Sequence, residues 1–247
     1  MPESYLPNLK GRVALVTGAS SGLGRRAAQV LVQAGAQVVG VARREAALAD
    51  LNGVAPISWD LSDRGQLPAL AEAVATPFGS PDILVHAAGV NTREPADQVT
   101  PAGWDLTLDL NLAVPFFLSQ HLVPAMQQNG WGRIVNFASL QSHRAFPAGL
   151  SYGASKGGIA QLTRAMAEAW SQHGICVNAL GPGFFKTELT AAVFDDPERA
   201  ARNAAQTCIG RNGELADIDG PLLFFCSNAC SYVTGQTLMV DGGFTAK

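Results

Sequence analysis

A chain of 247 residues with 17 Lys and Arg against 20 Asp and Glu carries a net charge of −3, and Arg25-Arg26 and Arg43-Arg44 are pairs rather than a patch, so no cationic surface for nucleic acid is expected. No unbroken apolar run approaches the roughly 18 residues of a membrane span, and residues 1–12, with two prolines and no apolar centre, do not read as a signal peptide. At this level nucleic-acid and membrane partners are excluded and the expected location is the cytoplasm.

The first apolar run, Val13-Ala14-Leu15-Val16-Thr17 within 12–17, has the length and character of a buried parallel strand. It opens into Thr17-Gly18-Ala19-Ser20-Ser21-Gly22-Leu23-Gly24 and then a helix over 25–34 with apolar Ala27, Ala28, Leu31 and Val32. Strand, glycine turn and helix in that order let backbone approach a pyrophosphate, whose charge is favoured at the helix N-terminus. The spacing differs from the common G-x-G-x-x-G, so for this motif alone a glycine turn without nucleotide stays open.

The second strand, 37–42, ends in Ala42-Arg43-Arg44. An acid there would bind a ribose 2′-hydroxyl and repel a 2′-phosphate, whereas Arg43 offers phosphate a charged fork; NADP(H) is favoured over NAD(H). A brief helix follows within 44–53, then strands near 55–59, 82–86, 132–138, 175–180 and 237–240, with helices between most of them. The alternation predicts one α/β unit spanning 1–247, a doubly wound parallel sheet of about seven strands, with no linker, repeat or charge block dividing it.

Apolar Ile159, Leu162, Ala165, Met166 and Ala169 predict a helix over 151–173, which puts Tyr152 and Lys156, four residues apart, on one face. Bringing a phenol of ordinary pKa about 10 to work near neutrality takes roughly 4 kcal/mol. A unit positive charge at about 4 Å in an effective dielectric of about 20 supplies about that much, so Lys156 is expected to acidify Tyr152 for proton exchange with a carbonyl or alcohol oxygen. A lone Tyr-x-x-x-Lys is more often a surface pair; Ser139, thirteen residues before Tyr152, and the glycine turn give it its weight.

Taken together, Thr-Gly-x3-Gly-x-Gly and Ser…Tyr-x3-Lys resemble the short-chain dehydrogenase/reductase family over essentially the whole chain. The resemblance implies a single-domain Rossmann fold and a catalytic set of Asn111, Ser139, Tyr152 and Lys156. It implies cofactor contacts from Gly18, Ser20, Ser21, Gly22, Leu23, Gly24, Arg43, Asp60, Leu61, Ala88, Gly89, Asn111, Tyr152 and Lys156. Pro182, Gly183 and Thr187 resemble the segment that closes over the nicotinamide, part of a substrate loop and lid around 183–210. Ser139 would hold the substrate oxygen, Tyr152 exchange the proton, Lys156 bind the ribose hydroxyls and Asn111 hold a water leading to solvent. One departure is His86-Ala87-Ala88-Gly89 where Asn-Asn-Ala-Gly is usual; His86 is read as a structural replacement for the first asparagine.

Loops Val90-Asn91-Thr92-Arg93 and Leu140-Gln141-Ser142-His143-Arg144 predict polar substrate walls, with Arg93, Gln141 and Arg144 as substrate candidates beside Ser139 and either arginine able to clamp a carboxylate. That suits a small carbonyl or alcohol substrate, and the chain is similar to members acting on sugar acids and polyols. It is also similar to members that reduce 3-oxoacyl groups on acyl carrier protein; Gln127-Gln128-Asn129 and Ser171-Gln172-His173 lack the cations for an acidic carrier, while Arg133 and Arg164 keep that reading open. An inactive nucleotide-binding regulator is the reading from another class. Cys176, Cys208, Cys226 and Cys230 are read as packing residues with no metal site. The resemblance implies a homotetramer, through helices around 101–128 and 151–173 and the last strand; the small residues Gly157, Gly158 and Ala160 suit either that contact or packing inside one subunit.

Overall fold

The computed structural model describes residues 7–247, so half of the 1–12 segment read above for a leader lies outside them. Among the described residues seven strands form one parallel sheet: β1 (Val13–Thr17), β2 (Gln37–Ala42), β3 (Val54–Ser58), β4 (Ile83–His86), β5 (Gly132–Phe137), β6 (Ile175–Pro182) and β7 (Thr237–Val240), ordered 3-2-1-4-5-6-7. Every predicted strand is present within two residues of its expected ends. Pro56, which has no N–H to give a ladder, sits in β3, the edge strand, where its loss is tolerated.

The connections are α1 (Gly22–Gln33), α2 (Glu45–Ala49), α3 (Leu67–Ala75), α4 (Pro101–Leu108), α5 (Val114–Asn129), α6 (Leu150–Trp170), α7 (Ala191–Phe194), α8 (Pro197–Gln206) and α9 (Asp219–Cys226). Alternate residues of a strand face opposite sides. Ala14 and Val16 of β1 and Val135 of β5 pack with Leu31 of α1 and Leu222 of α9 on one face. Leu15 and Ile134 pack with Leu70 of α3, Leu118 of α5 and Met166 of α6 on the other. The inner strands β1, β4, β5 and β6 therefore have no solvent face, which explains their unbroken apolar runs, whereas the two edge strands β3 and β7 are partly exposed.

α4 and α5 are continuous through a π turn, Asp109–Ala113, in which Val114 N–H reaches back to Asp109 carbonyl. The resulting 101–129 helix is, by length and composition, apolar enough to cross a membrane. As read from the sequence, polar residues and prolines interrupt the apolar run, yet they do not interrupt the helix expected around 101–128. Val114, Leu118, Leu122, Val123 and Met126 are buried against the sheet. In α6, a Cβ on Gly158 would lie 2.9 Å from Leu112, so that glycine serves packing within the subunit, whereas Gly157 faces open space.

The order of strands reverses between β1 and β4, which are neighbours although three strands apart in sequence. In open α/β sheets the crevice at the carboxyl ends beside such a reversal is where ligands bind. Here Gly18 leaves β1 and Ala88 leaves β4; Gly18 has φ +71°, and a Cβ on it would lie 2.7 Å from Ala88 N.

Candidate active site

A cavity of about 940 Å³ opens at this crevice, and every cofactor residue expected from sequence lines it except Asn111. The glycine turn forms one end. Ser21 is the N-cap of α1 but makes no side-chain cap bond, and the first turn carries no acid. The leading N–H groups of α1 are thus left for an outside acceptor, which is the donor set a pyrophosphate requires. A dinucleotide fits.

The end at which the sequence places the adenosine is bounded by Trp59, Asp60, Leu61, Arg43 and Arg44. Asp60 accepts from Ser62 N–H at 3.0 Å, and that backbone bond above all holds its carboxyl below the usual carboxylate range. Leu61 is buried with the α3 and α5 face while still reaching the cavity wall. Sequence reasoning passed over Arg44 and Trp59. Arg44 donates to Ser21 Oγ at 2.7 Å and to Ser20 Oγ at 3.0 Å, and pairs with Glu188 at 2.8 Å. The signal available was its place beside Arg43.

At the other end stand Ser139, Tyr152 and Lys156. Ser139 closes β5 and caps the short 3-10 turn Leu140–Ser142, its Oγ accepting from Gln141 N–H at 3.2 Å, so its own proton remains to be donated. α6 places Tyr152 and Lys156 on one face as expected, with Lys156 Nζ 5.5 Å from the Tyr152 ring centre. Nζ donates to the Phe137 carbonyl at 2.6 Å. Burial lowers the Lys156 ammonium to about 8.

The expected acidification of Tyr152 is not built into the protein alone. Its pKa is raised, because burial disfavours the phenolate more than the Ser139 hydroxyl and the Arg93 charge favour it. The ammonium that was to lower it is turned to Phe137 and itself partly desolvated. Tyr152 is therefore a protonated acid at neutral pH, and a further positive charge is needed to make it a base.

Asn111 lies in the π turn and is buried. Its Nδ2 donates to Val90 carbonyl at 2.9 Å and to Ser155 Oγ at 3.0 Å, and its Oδ1 accepts from Val90 N–H at 2.8 Å. It ties the loop after β4 to α6, and both amide protons are spent on protein. A Cβ on Gly89 would lie 3.1 Å from Asn111 Oδ1 and 3.9 Å from Lys156 Nζ, which puts the three together. His86 Nε2 meets Ser119 Oγ at 2.9 Å, and Ser119 gives its proton to Pro115 carbonyl, so Nε2 carries the hydrogen. Complete burial drops its pKa to about 3, and the neutral ring bridges β4 to α5 in the structural role expected.

Of the substrate candidates, Arg93 and Gln141 line the cavity with Ser139, and Arg144 does not. The Arg144 guanidinium lies 5.5 Å over the Phe244 ring, because the turn after Ser139 directs it toward the C-terminus. Arg93 holds a left-handed backbone, φ +56°, and donates to Leu189 carbonyl at 2.6 Å. Gln141 Oε1 is buried with no hydrogen-bond partner. The walls are less polar than expected: Phe146 and Phe184 contribute an aromatic side, edge to face at 5.8 Å, backed by Phe244. Cys176, Cys226 and Cys230 are buried as read, but Cys208 is exposed. Among the described residues no cluster of three potential metal ligands occurs.

Residues 18–245 match the family model described as enoyl-(acyl carrier protein) reductase. The chain is 35% identical to gluconate 5-dehydrogenase of Gluconobacter oxydans, with 99% of each chain covered. It is 34% identical to 3-oxoacyl-[acyl-carrier-protein] reductase of Vibrio cholerae over 96% of this chain and 98% of that one. The crystal structure of a gluconate 5-dehydrogenase from Burkholderia cenocepacia in complex with NADP and tartrate superposes with a TM-score of 0.92 at 35% identity, covering 97% of both chains. With the serine, tyrosine and lysine gathered at the reversal of the sheet, the chain belongs to the short-chain dehydrogenase/reductase family and is an NAD(P)-dependent oxidoreductase acting on CH–OH groups.

Proposed function

We propose that the protein interconverts a secondary alcohol and a ketone on a sugar acid or polyol, with NADP(H) preferred to NAD(H). The observation that carries this reading is the pairing, in one cavity, of a proton-bearing Tyr152 beside Ser139 with an arginine and an unpartnered amide oxygen at the substrate end, Arg93 and Gln141 Oε1. A carboxylate answers the first and a hydroxyl the second. The relatives named for gluconate and the NADP-bound neighbour support the same reading.

The α1 N-terminus, Gly18, Ser20, Gly22, Leu23 and Gly24 would hold the pyrophosphate; Arg43 and Arg44 the 2′-phosphate; Asp60 and Leu61 the adenine; Ala88, Gly89, Pro182, Gly183 and Thr187 the nicotinamide side; and Lys156 the ribose hydroxyls. The cofactor supplies hydride transfer, and its oxidised ring brings a positive charge. In reduction Ser139 donates a hydrogen bond to the substrate carbonyl and Tyr152 gives its proton to the same oxygen. In oxidation the phenolate takes the alcohol proton, with Lys156 stabilising it. A water at the Asn111 backbone carbonyl, rather than at its spent side-chain amide, would return protons to Lys156. The 183–210 segment, with α7 and α8, would act as the lid that excludes water.

Reduction of a 3-oxoacyl thioester is the second reading, favoured by the aromatic wall of Phe146 and Phe184. Arg133 does not serve a carrier protein, since it is 2% exposed and donates to Ser227 carbonyl at 2.9 Å. Assay of 5-ketogluconate and related keto-sugars against an acetoacetyl thioester decides between them: faster thioester turnover refutes the sugar-acid reading. We further propose a cytoplasmic homotetramer, with exposed Phe117, Leu150 and Leu238 at subunit contacts; sedimentation of a monomer at micromolar concentration would contradict it.

A further inference from the structure

Three contacts seat the 183–210 segment over the cavity. The Thr187 methyl lies 3.3 Å from where a Gly22 Cβ would stand, Arg93 donates to Leu189 carbonyl, and Glu188 pairs with Arg44. The last differs from the others because its cation also belongs to the adenosine end. Arg44 is held to the glycine turn by Ser20 and Ser21 and gives Nη1 to Glu188 at 3.0 Å. It stands just beyond the end of β2, where this fold places the ribose 2′ position. Arg43, beside it, makes no side-chain hydrogen bond among the described residues.

We infer that Glu188 competes with the 2′-phosphate of NADP(H) for the Arg44 guanidinium, so that the group that selects the cofactor also releases one tie on the segment over the nicotinamide. This rests on the reading of NADP(H) as a working cofactor. A phosphate of charge near −2 entering beside Arg43 and Arg44 meets the Glu188 carboxylate already on that fork. Like charges on one guanidinium repel, and Glu188, 64% exposed, is free to turn to water. NAD(H), with a neutral hydroxyl there, leaves the pair intact. The two cofactors thus bind to differently tethered forms of the same segment, and the tie to Arg44 discriminates against the phosphorylated one.

The test is a titration of NADPH and of NADH, without substrate, followed by fluorescence. In Glu188→Gln, whose side chain is isosteric, NADPH should bind about threefold tighter, the scale of an exposed ion pair, and NADH unchanged. In an Arg44→Ala background the same substitution should have no effect on NADPH. Hydrogen exchange supplies a second readout: amides of 187–191 in the wild type should exchange faster with NADPH bound than with NADH. The inference is overturned if E188Q shifts both dissociation constants together, or neither, or if its effect survives loss of Arg44. The wild-type preference is read separately: tighter NADH refutes the cofactor reading, while the selective shift in E188Q still decides the competition.

Discussion

Lys156 Nζ donates to the Phe137 carbonyl at 2.6 Å while standing 5.5 Å from the centre of the Tyr152 ring. The ammonium is anchored to the end of β5, the strand that leads directly to Ser139, so the Tyr152 phenol, the Lys156 ammonium and the Ser139 hydroxyl are positioned by one strand and one helix. Removing the phenol alone leaves that scaffold intact. Tyr152→Phe should cut turnover by about 10²- to 10⁴-fold with NADPH affinity changed less than about threefold; stopped-flow hydride transfer and a binding titration check it. Substantial residual turnover would refute the acid–base role.

The direction of the pKa shifts predicts opposite pH dependences for the two reactions. Tyr152 is raised and so protonated through neutrality, ready for ketone reduction, which should stay level across the neutral range. Alcohol oxidation needs phenolate and should accelerate as pH rises, flattening above about 8, where Lys156 loses its proton and its support for the phenolate. Profiles of kcat in both directions settle this. An oxidation rate that falls as pH is raised toward 8 would contradict the assignment.

His86 makes stability depend on acid. Its folded pKa of about 3 lies below the ordinary 6.5, so below 6.5 the unfolded chain binds a proton that the folded chain excludes. Stability contributed by the neutral ring is present above about 6.5 and is lost as pH falls toward about 3, by a few kcal/mol at most. His86→Asn, which keeps a donor for Ser119, should flatten the slope of the urea midpoint against pH in that window. Parallel losses in both proteins would show that other groups carry the effect.

Arg93 and Arg144, equivalent in sequence, separate in position: the first lines the cavity and the second does not. Arg93→Gln should raise KM for a carboxylate-bearing substrate about 10- to 100-fold, the scale of a lost charge-assisted hydrogen bond, and leave an uncharged polyol within about twofold. Arg144→Gln should change neither, its guanidinium lying over Phe244. Equal effects of the two substitutions in steady-state assays would dissociate the carboxylate from Arg93.

Cofactor choice has its own test at the end of β2. Arg43→Asp places a carboxylate where a 2′-phosphate would lie and should reverse any preference for NADPH over NADH in paired titrations. An unchanged ratio would remove Arg43 from discrimination.

The sheet was legible because its inner strands are buried on both faces, as the uniform burial of Val13–Thr17 and Ile175–Pro182 shows, and such strands must be written as apolar runs. The acid, cation and serine were legible because helix pitch and strand end fix Tyr152, Lys156 and Ser139 with little room for variation. Arg144 and Arg44 were not. Each follows a turn whose exit direction is set by tertiary contacts, with Phe244 in one case and with Ser20, Ser21 and Glu188 in the other. The helix expected around 101–128 is present, but the π turn inside it was not legible, because helical continuity through Pro115 and Pro124 depends on packing rather than on an unbroken apolar string. The raised phenol pKa was missed because desolvation is invisible until the fold is closed.

The π turn at Asp109–Ala113 has a consequence for how the protein could be altered. One surplus residue in a helix offsets everything after it by about 100°, so α4 and α5 present their apolar sides in different registers and Asn111 is swung between Val90 and Ser155. Excising a single residue there would restore uniform helical bonding, yet it would rotate the asparagine out of reach or turn the Leu118 and Leu122 side away from the sheet. A segment that departs from regular helical bonding is thereby held by two demands, the seat of Asn111 and the burial of the Leu118 side, and shortening it would give up one of them.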